Sequence, residues 1–153
     1  MKLLNVSYEL CRKNCLDNSI FDSDRRFENN LCAFETYYSE CDNDTHVWLD
    51  SMSSKSMQYY LIIKNSEVIG TIESLDYTID KCDYSFLWGF ILKKKFQGKG
   101  IGSQTLSKIK KIYAGRFLLL DTEKKNVSLY INNNFRYYDG NKFINETIRM
   151  YYT

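Results

Sequence analysis

Gln97-Gly98-Lys99-Gly100-Ile101-Gly102 decides the reading of this chain, because three alternate glycines stand there between an apolar run and an amphipathic one. The run before it, Ser85-Phe86-Leu87-Trp88-Gly89-Phe90-Ile91-Leu92, is aromatic and branched, as in a strand buried on both faces. The run after it, 103 to 113, carries Leu106, Ile109, Ile112 and Tyr113 at helical spacing, with Lys108, Lys110 and Lys111 available for the opposite face. A strand that passes through glycines into a helix leaves the first amide N–H groups of that helix without internal partners. They point one way, with the positive end of the helix dipole behind them. The stretch is therefore predicted to cradle an anion on bare backbone.

Spacing separates three ligand classes that use such a cradle. A nucleotide-triphosphate loop needs Lys-Ser or Lys-Thr after its last glycine, whereas Gly102 is followed by Ser103-Gln104. A dinucleotide fingerprint needs glycines at positions one, three and six, and the sixth position from Gly98 is Ser103. Asp121 lies about twenty residues on, after Phe117-Leu118-Leu119-Leu120, which keeps a dinucleotide-binding protein as the runner-up. For the third class the match is close. Gln97 to Gly102 resembles the (Arg/Gln)-x-x-Gly-x-(Gly/Ala) acetyl-CoA signature of the GNAT superfamily of N-acetyltransferases.

The resemblance extends downstream, where Asn126, Tyr130 and Phe135 match the second motif of that family, an Asn and a Tyr on a helix followed by a Phe opening the next strand. Asn134 stands where the family usually has Gly, and the stretch from Asp121 to Tyr130 is a few residues shorter than usual. The implied fold is α/β in the sense of an α+β mixed sheet, a GNAT-like acyl-CoA N-acyltransferase fold. Its central, mostly antiparallel sheet is splayed at the cofactor site and flanked by helices, in one domain over 1–153.

The resemblance also implies acetyl-CoA as co-substrate and acetyl transfer to a primary amine of a small-molecule or protein acceptor, with no metal. Peptide groups at Phe90, Ile91 and Leu92 would pair with pantetheine. The backbone from Gln97 through Gly98, Lys99, Gly100, Ile101 and Gly102 to Ser103 would hold the pyrophosphate, with Asn126 and Tyr130 completing the cofactor site. Lys93, Lys94 and Lys95 either meet nucleotide phosphates or form a solvated charge run. A strand N–H near Phe90 or Leu92 would stabilise the oxyanion. Tyr130 would protonate the departing sulfur. The base is open among Glu73, Asp83 and Tyr84, with Glu73 taken as the candidate, although its alternation with Thr71 and Leu75 also suits a solvent-facing side chain.

Bulk properties agree with one enzyme-sized domain. The 153 residues are enough to bury about two thirds of the unfolded surface, and 44% apolar with 26% charged residues is a globular composition. A net charge of +2 is too small for general nucleic-acid binding, so nucleic acid is not an expected partner. The five cysteines and single His46 show no metal or disulfide framework. No apolar run has the length of a signal peptide or a membrane span. A cytoplasmic, membrane-free setting is expected. The absence of proline, with abundant Asn, Lys, Tyr and Ile, fits an AT-rich bacterial or phage genome.

Periodicity predicts a first strand over 3 to 8 and two helices within the polar stretch 11 to 57, where Phe27, Leu31, Phe34 and Tyr38 recur at helical spacing. A hairpin is predicted about Lys64-Asn65-Ser66-Glu67, a strand over 83 to 92, a strand over 116 to 120, and a final hairpin at Asp139-Gly140. The tail Met150-Tyr151-Tyr152 suits either closure of the sheet or packing in a homodimer.

The acceptor is less legible. Residues 17 to 50 hold nine carboxylates against Arg25 and Arg26, a net of −7, which either favours a cationic amine or is a solvated acidic surface. Two other function classes stay open. A toxin-type acetyltransferase acting on aminoacyl-tRNA would need a basic face, for which Lys108, Lys110, Lys111 and Arg116 are available. A non-catalytic acyl-CoA-binding module would keep the cradle and make no use of Tyr130.

Overall fold

A computed structural model of the chain describes residues 1–17, 43–44, 54–138 and 147–153. Within them run β1 (Lys2–Val6), α1 (Tyr8–Asp17), β2 (Ser54–Lys64), β3 (Glu67–Ile79), β4 (Cys82–Leu92), α2 (Ile101–Ile112), β5 (Phe117–Glu123), α3 (Val127–Ile131), β6 (Arg136–Tyr137) and β7 (Thr147–Tyr152). Short 3₁₀ turns at Lys94–Phe96 and Lys124–Asn126 precede the cradle and α3. The strands form one mixed sheet in the order β1-β2-β3-β4-β5-β7-β6. Only β4 and β5 run parallel, so the mostly antiparallel α+β sheet matches the expectation.

Two tight turns build the antiparallel half. Asn65 and Ser66 have φ of 50° and 64°, and Asp80 and Lys81 have 49° and 65°. Two consecutive left-handed residues are what a two-residue turn needs to follow the right-handed twist of its strands. The first was predicted; the second, at Asp80-Lys81, escaped the sequence reading. Each left-handed residue costs about 1–2 kcal/mol. That cost is offset by long ladders, since β3 pairs along its length with β2 on one side and β4 on the other.

The sheet has two differently covered faces. On one, Ile101, Leu106 and Ile109 of α2 are buried against Ile62, Ile72, Leu87, Leu118, Leu120 and Met150. On the other, Cys11 and Cys15 of α1 pack on Leu61, and a second cluster gathers Leu75, Tyr77, Phe86 and Leu119. At about 25 cal/mol per Å² of buried apolar surface, each large side chain in these clusters contributes roughly 1.5–3 kcal/mol.

Several boundaries correct the sequence reading. The first strand stops at Val6 because Ser7 caps a helix: its Oγ accepts from Leu10 N–H at 3.2 Å. Tyr8 is thus helical. Of the stretch 11 to 57, residues 11 to 17 are helix and 54 to 57 already belong to β2, while the Phe27-to-Tyr38 periodicity lies outside the described residues. Helix α2 begins at Ile101, inside the glycine stretch, because Gly100 at φ 75° is its N-cap. The strand after α2 runs on to Glu123. The turn at Asp139-Gly140 lies outside the described residues. The pairing Arg136↔Tyr151 and Tyr137↔Met150 is centred between 143 and 144, so the register of β6 with β7 is not that of a two-residue turn at Asp139-Gly140.

Candidate active site

The site begins where two strands part. β4 and β5 pair only over Tyr84–Leu87 against Phe117–Leu120, while β4 continues to Leu92 and β5 to Glu123. A bulge helps to separate them: Glu73 faces Gly89 and Ser74 faces Leu87, so Trp88 is the extra residue that bends β4. Lys93 N–H donates to Ile69 C=O across β3 at 2.8 Å. By strand alternation the peptide groups of Leu92 and Phe90 face the opposite way, into the gap.

The gap opens into a cavity of about 740 Å³ lined by Phe90, Ile91, Leu92, Gln97, Gly98, Gly100, Gly102, Ser103, Glu123, Lys125, Asn126, Leu129 and Tyr130. Ten of the predicted cofactor-site residues therefore surround one space. Lys99 and Ile101 do not line it: Lys99 is exposed, and Ile101 is 2% exposed and anchors α2 in the core.

The cradle has the free donors that its sequence promised. The first internal bond of α2 runs from Gln104 N–H to Gly100 C=O at 3.1 Å, which leaves the amides of Ile101, Gly102 and Ser103 without a carbonyl partner in the helix. Gly98 and Gly100 have φ of 70° and 75°, and a Cβ at either would point into open space. A Cβ at Gly102 would meet the Leu129 methyls at 3.4 Å. Ser103 Oγ accepts from Asn133 Nδ2 at 3.0 Å, and Asn133 Nδ2 also reaches Leu129 C=O at 2.7 Å, which ties α3 to the start of α2. Two of the three upstream lysines are engaged elsewhere: Lys93 and Lys95 reach Glu67 Oε1 at 3.0 and 2.9 Å, and these ammonium groups hold the Glu67 carboxyl below its usual range.

Tyr130 closes the cavity from α3. Its ring meets Phe135 edge-on, with centroids 5.6 Å apart, and the residue is 9% exposed. Burial pushes its phenol up to about 12, and a hydrogen bond with Thr122 of β5 offsets part of that rise. The hydroxyl is therefore protonated at neutral pH. Asn134, which replaces the usual glycine, has φ 65°. Asn tolerates the left-handed region better than other side chains, so the chain still turns from α3 into Phe135 as a glycine would allow.

The three candidate bases differ in position. Glu73 is 7% exposed rather than facing solvent; it does not line the cavity but stands opposite Gly89, next to the cavity residue Phe90. Asp83 and Tyr84 sit at the far end of β4, roughly 20 Å from Phe90 at strand rise. There Asp83 accepts from Thr78 Oγ1 at 2.8 Å, and Tyr84 stacks on Tyr77.

Glu123, Lys125 and Leu129 line the cavity without having been singled out in the sequence. The Glu123–Lys125 ion pair is 2.7 Å long. Leu129 had a signal, since it lies three residues after Asn126 and so shares its helix face. Asp121, the proposed ribose acid, is instead held in a two-pronged pair with Arg149 at 2.8 and 3.0 Å. Of the proposed basic face, Lys110 reaches Asn133 C=O at 2.9 Å and Arg116 donates to Ser85 Oγ and Tyr84 C=O at 2.8 and 2.7 Å. Most of the acidic stretch 17 to 50 lies outside the described residues. Among the described residues, no group of three or more His, Cys, Asp or Glu side chains is placed to hold a metal, and no helix is long and apolar enough to cross a membrane.

Comparison with known proteins follows the same lines. A family model described as "Acetyltransferase (GNAT) family" matches residues 23–131. No curated protein matches the sequence significantly. Solved structures share the fold. A spermidine N-acetyltransferase SpeG chimera from Vibrio cholerae and hSSAT is 16% identical with a TM-score of 0.61, the match covering 99% of this chain and 95% of that one. Campylobacter jejuni N-acetyltransferase PseH, in complex with acetyl coenzyme A, is 19% identical with a TM-score of 0.55, covering 99% and 96%. PaiA N-acetyltransferase from Thermoplasma acidophilum, in complex with coenzyme A, is 17% identical with a TM-score of 0.53, covering 99% and 98%.

Proposed function

This chain belongs to the GNAT acetyltransferase family, and from that premise we propose that it transfers an acetyl group from acetyl-CoA to a primary amine of a small-molecule or peptide acceptor. The observation that carries the reading is a single cavity in which the unpaired edge of β4 at Phe90–Leu92 leads directly to the free amides of Ile101–Ser103, with Tyr130 on the opposite wall. An extended chain of amides suits the first part. A diphosphate suits the second, where Gly98 and Gly100 line the cavity with bare backbone. Coenzyme A has both parts, and its thioester supplies the activated acetyl group.

The residues of the chain then divide the work. The gap-facing Phe90 N–H donates to the carbonyl oxygen as it gains negative charge, a contact that can contribute about 10²–10³ in rate. Glu73 takes one proton from the acceptor ammonium, the freed electron pair forms the N–C bond, and the nitrogen gives a second proton to water as the C–S bond breaks. The sulfur leaves with the bonding pair. Tyr130, still protonated because its phenol is pushed up to about 12, donates a hydrogen bond to that sulfur. A thiol ionises near 8.5, so full transfer from this phenol is uphill and the thiolate gains its proton from water.

Calorimetry with acetyl-CoA, CoA and NAD tests the binding half, and thiol release with a panel of amines tests the chemistry. Binding of both CoA species and none of NAD, with amine-dependent thiol release, is the expected result. Protein that binds neither CoA species would overturn the assignment.

A further inference from the structure

Helix α3 ends after five residues, and the residue that completes its last turn also touches the cradle. The main-chain N–H of Asn133 bonds to Tyr130 C=O, three residues back, at 3.0 Å. Leu129 C=O, four residues back, is served by the Asn133 side chain, which donates from Nδ2 at 2.7 Å. The second hydrogen of the same Nδ2 goes to Ser103 Oγ at 3.0 Å, and Ser103 lines the cavity.

These bonds fix a direction. A carbonyl oxygen can only accept, so Leu129 C=O decides which end of the Asn133 amide faces it; the reverse orientation would set Oδ1 against another oxygen with no hydrogen between them. The Nδ2 group can only donate, so Ser103 Oγ has to accept. A hydroxyl carries one hydrogen, and accepting from Asn133 turns that hydrogen elsewhere. On a helix the usual outlet is the carbonyl four residues back, as at Thr105, whose Oγ1 donates to Ile101 C=O at 2.8 Å. Ser103 donates to no group among the described residues. Its hydrogen is therefore left for an occupant of the cavity, beside the free amides of Ile101, Gly102 and Ser103.

We propose that Asn133 is a positioning residue for the coenzyme: by holding the Ser103 hydroxyl as a one-way donor it makes the start of α2 a set of donors only, matched to the unprotonated oxygens of a diphosphate. This rests on the reading of the cavity as a coenzyme A site. A hydroxyl free to rotate meets an anion with a lone pair as readily as with its hydrogen, or turns back to the Lys99 carbonyl. One that is oriented beforehand gives a charge-assisted bond with no reorientation on binding. The polarity of the subsite thus begins at a main-chain carbonyl of α3, on the far side of Asn133 from the ligand.

Calorimetry with CoA on the full chain comes first, because a parent protein that binds none fails the site itself and not merely the role of Asn133. On protein that binds, Asn133→Asp is made both in the parent and in the Ser103→Ala variant. An aspartate keeps the link between the helices, since Ser103 can donate to a carboxylate, but it reverses the direction of that bond and adds a negative charge. The charge acts in both backgrounds, the reversal only where the hydroxyl is present. Asn133→Asp is therefore expected to raise the CoA Kd by a factor about five-fold or more larger in the parent than in the Ser103→Ala variant. Equal factors are the result of an Asn133 that merely ties α3 to α2, and they overturn the proposal. Ser103→Ala alone is expected to raise the CoA Kd by about ten-fold, the loss of a bond to a charged group. Should Asn133→Asp fail to fold, this variant still decides, because an unchanged Kd leaves Asn133 with nothing to position and overturns the proposal.

Discussion

The Gln97 side chain donates from Nε2 to the Leu92 carbonyl at 2.9 Å, so the first residue of the cradle holds the last peptide of β4. Two parts of the proposed cofactor site are thereby fixed relative to each other. The bond is exposed, and its net worth to folding is about 0.5–1.5 kcal/mol. Gln97→Ala should therefore leave thermal stability within a few degrees of the parent. It should weaken acetyl-CoA binding by about five- to ten-fold through lost preorganisation, read by calorimetry. Unchanged affinity would show that the cradle keeps its place without this link.

Tyr130→Phe removes a hydroxyl and little volume. Because that hydroxyl is assigned to the departing sulfur, kcat should fall by about 10² with KM nearly unchanged. Retained kcat would take Tyr130 out of the chemistry and leave it as a wall of the cavity. Intact acetyl-CoA binding with no turnover by the parent would favour the non-catalytic module.

Gly100 and Gly102 should respond oppositely to alanine. Gly100 has φ 75°, so Gly100→Ala should cost about 1–2 kcal/mol of stability and place a methyl group where the anion is expected. Gly102 lies within the first turn of α2 with ordinary φ, and its new Cβ would meet Leu129 at 3.4 Å, an ordinary contact. Gly102→Ala should thus be neutral or stabilising by up to about 1 kcal/mol. Denaturant titration of both variants separates the two outcomes.

Burial of phenols predicts an alkaline limit to stability. Tyr77 and Tyr130 are each pushed up to about 12 from 10 by desolvation, and Tyr113 is raised by the same cause. Between those values the folded chain keeps protons that the unfolded chain has lost, so ν_N exceeds ν_U and unfolding free energy falls as pH rises. The contribution is complete below pH 10 and declines above it, by up to about 1.4 kcal/mol per pH unit for each phenol. Thermal melts from pH 8 to 11 should show Tm falling only in the upper part of that range. A Tm that is flat to pH 11 would contradict the burial effect.

The elements that were legible in the sequence are those whose signals are local. The glycine stretch, the Asn65-Ser66 turn and the strand 83 to 92 each announce themselves within a few residues, and the cavity gathers ten of the predicted cofactor-site residues. What escaped depends on contacts between distant segments. The Asp80-Lys81 turn has ordinary residues forced left-handed by the pairing of β3 with β4. The β6–β7 register is centred between 143 and 144 and not on Asp139-Gly140, the local turn signal. Glu73 alternates like a surface residue, but α1 covers that face of β3, so its carboxylate is nearly buried. Glu123 and Lys125 read as ordinary surface charges because nothing in their neighbourhood along the chain reports that β5 has parted from β4.

That parting leaves a short seam in the middle of the sheet. Four rungs join β4 to β5, where eleven join β2 to β3. Whatever fills the open length acts as a rivet between the two halves, and some of its binding free energy is returned as mechanical cohesion of strands it never touches. Amides of β5 and β7 should then exchange with solvent more slowly when the gap is filled, and loosening the seam at Ser85 or Leu118 should be felt as weaker coenzyme binding.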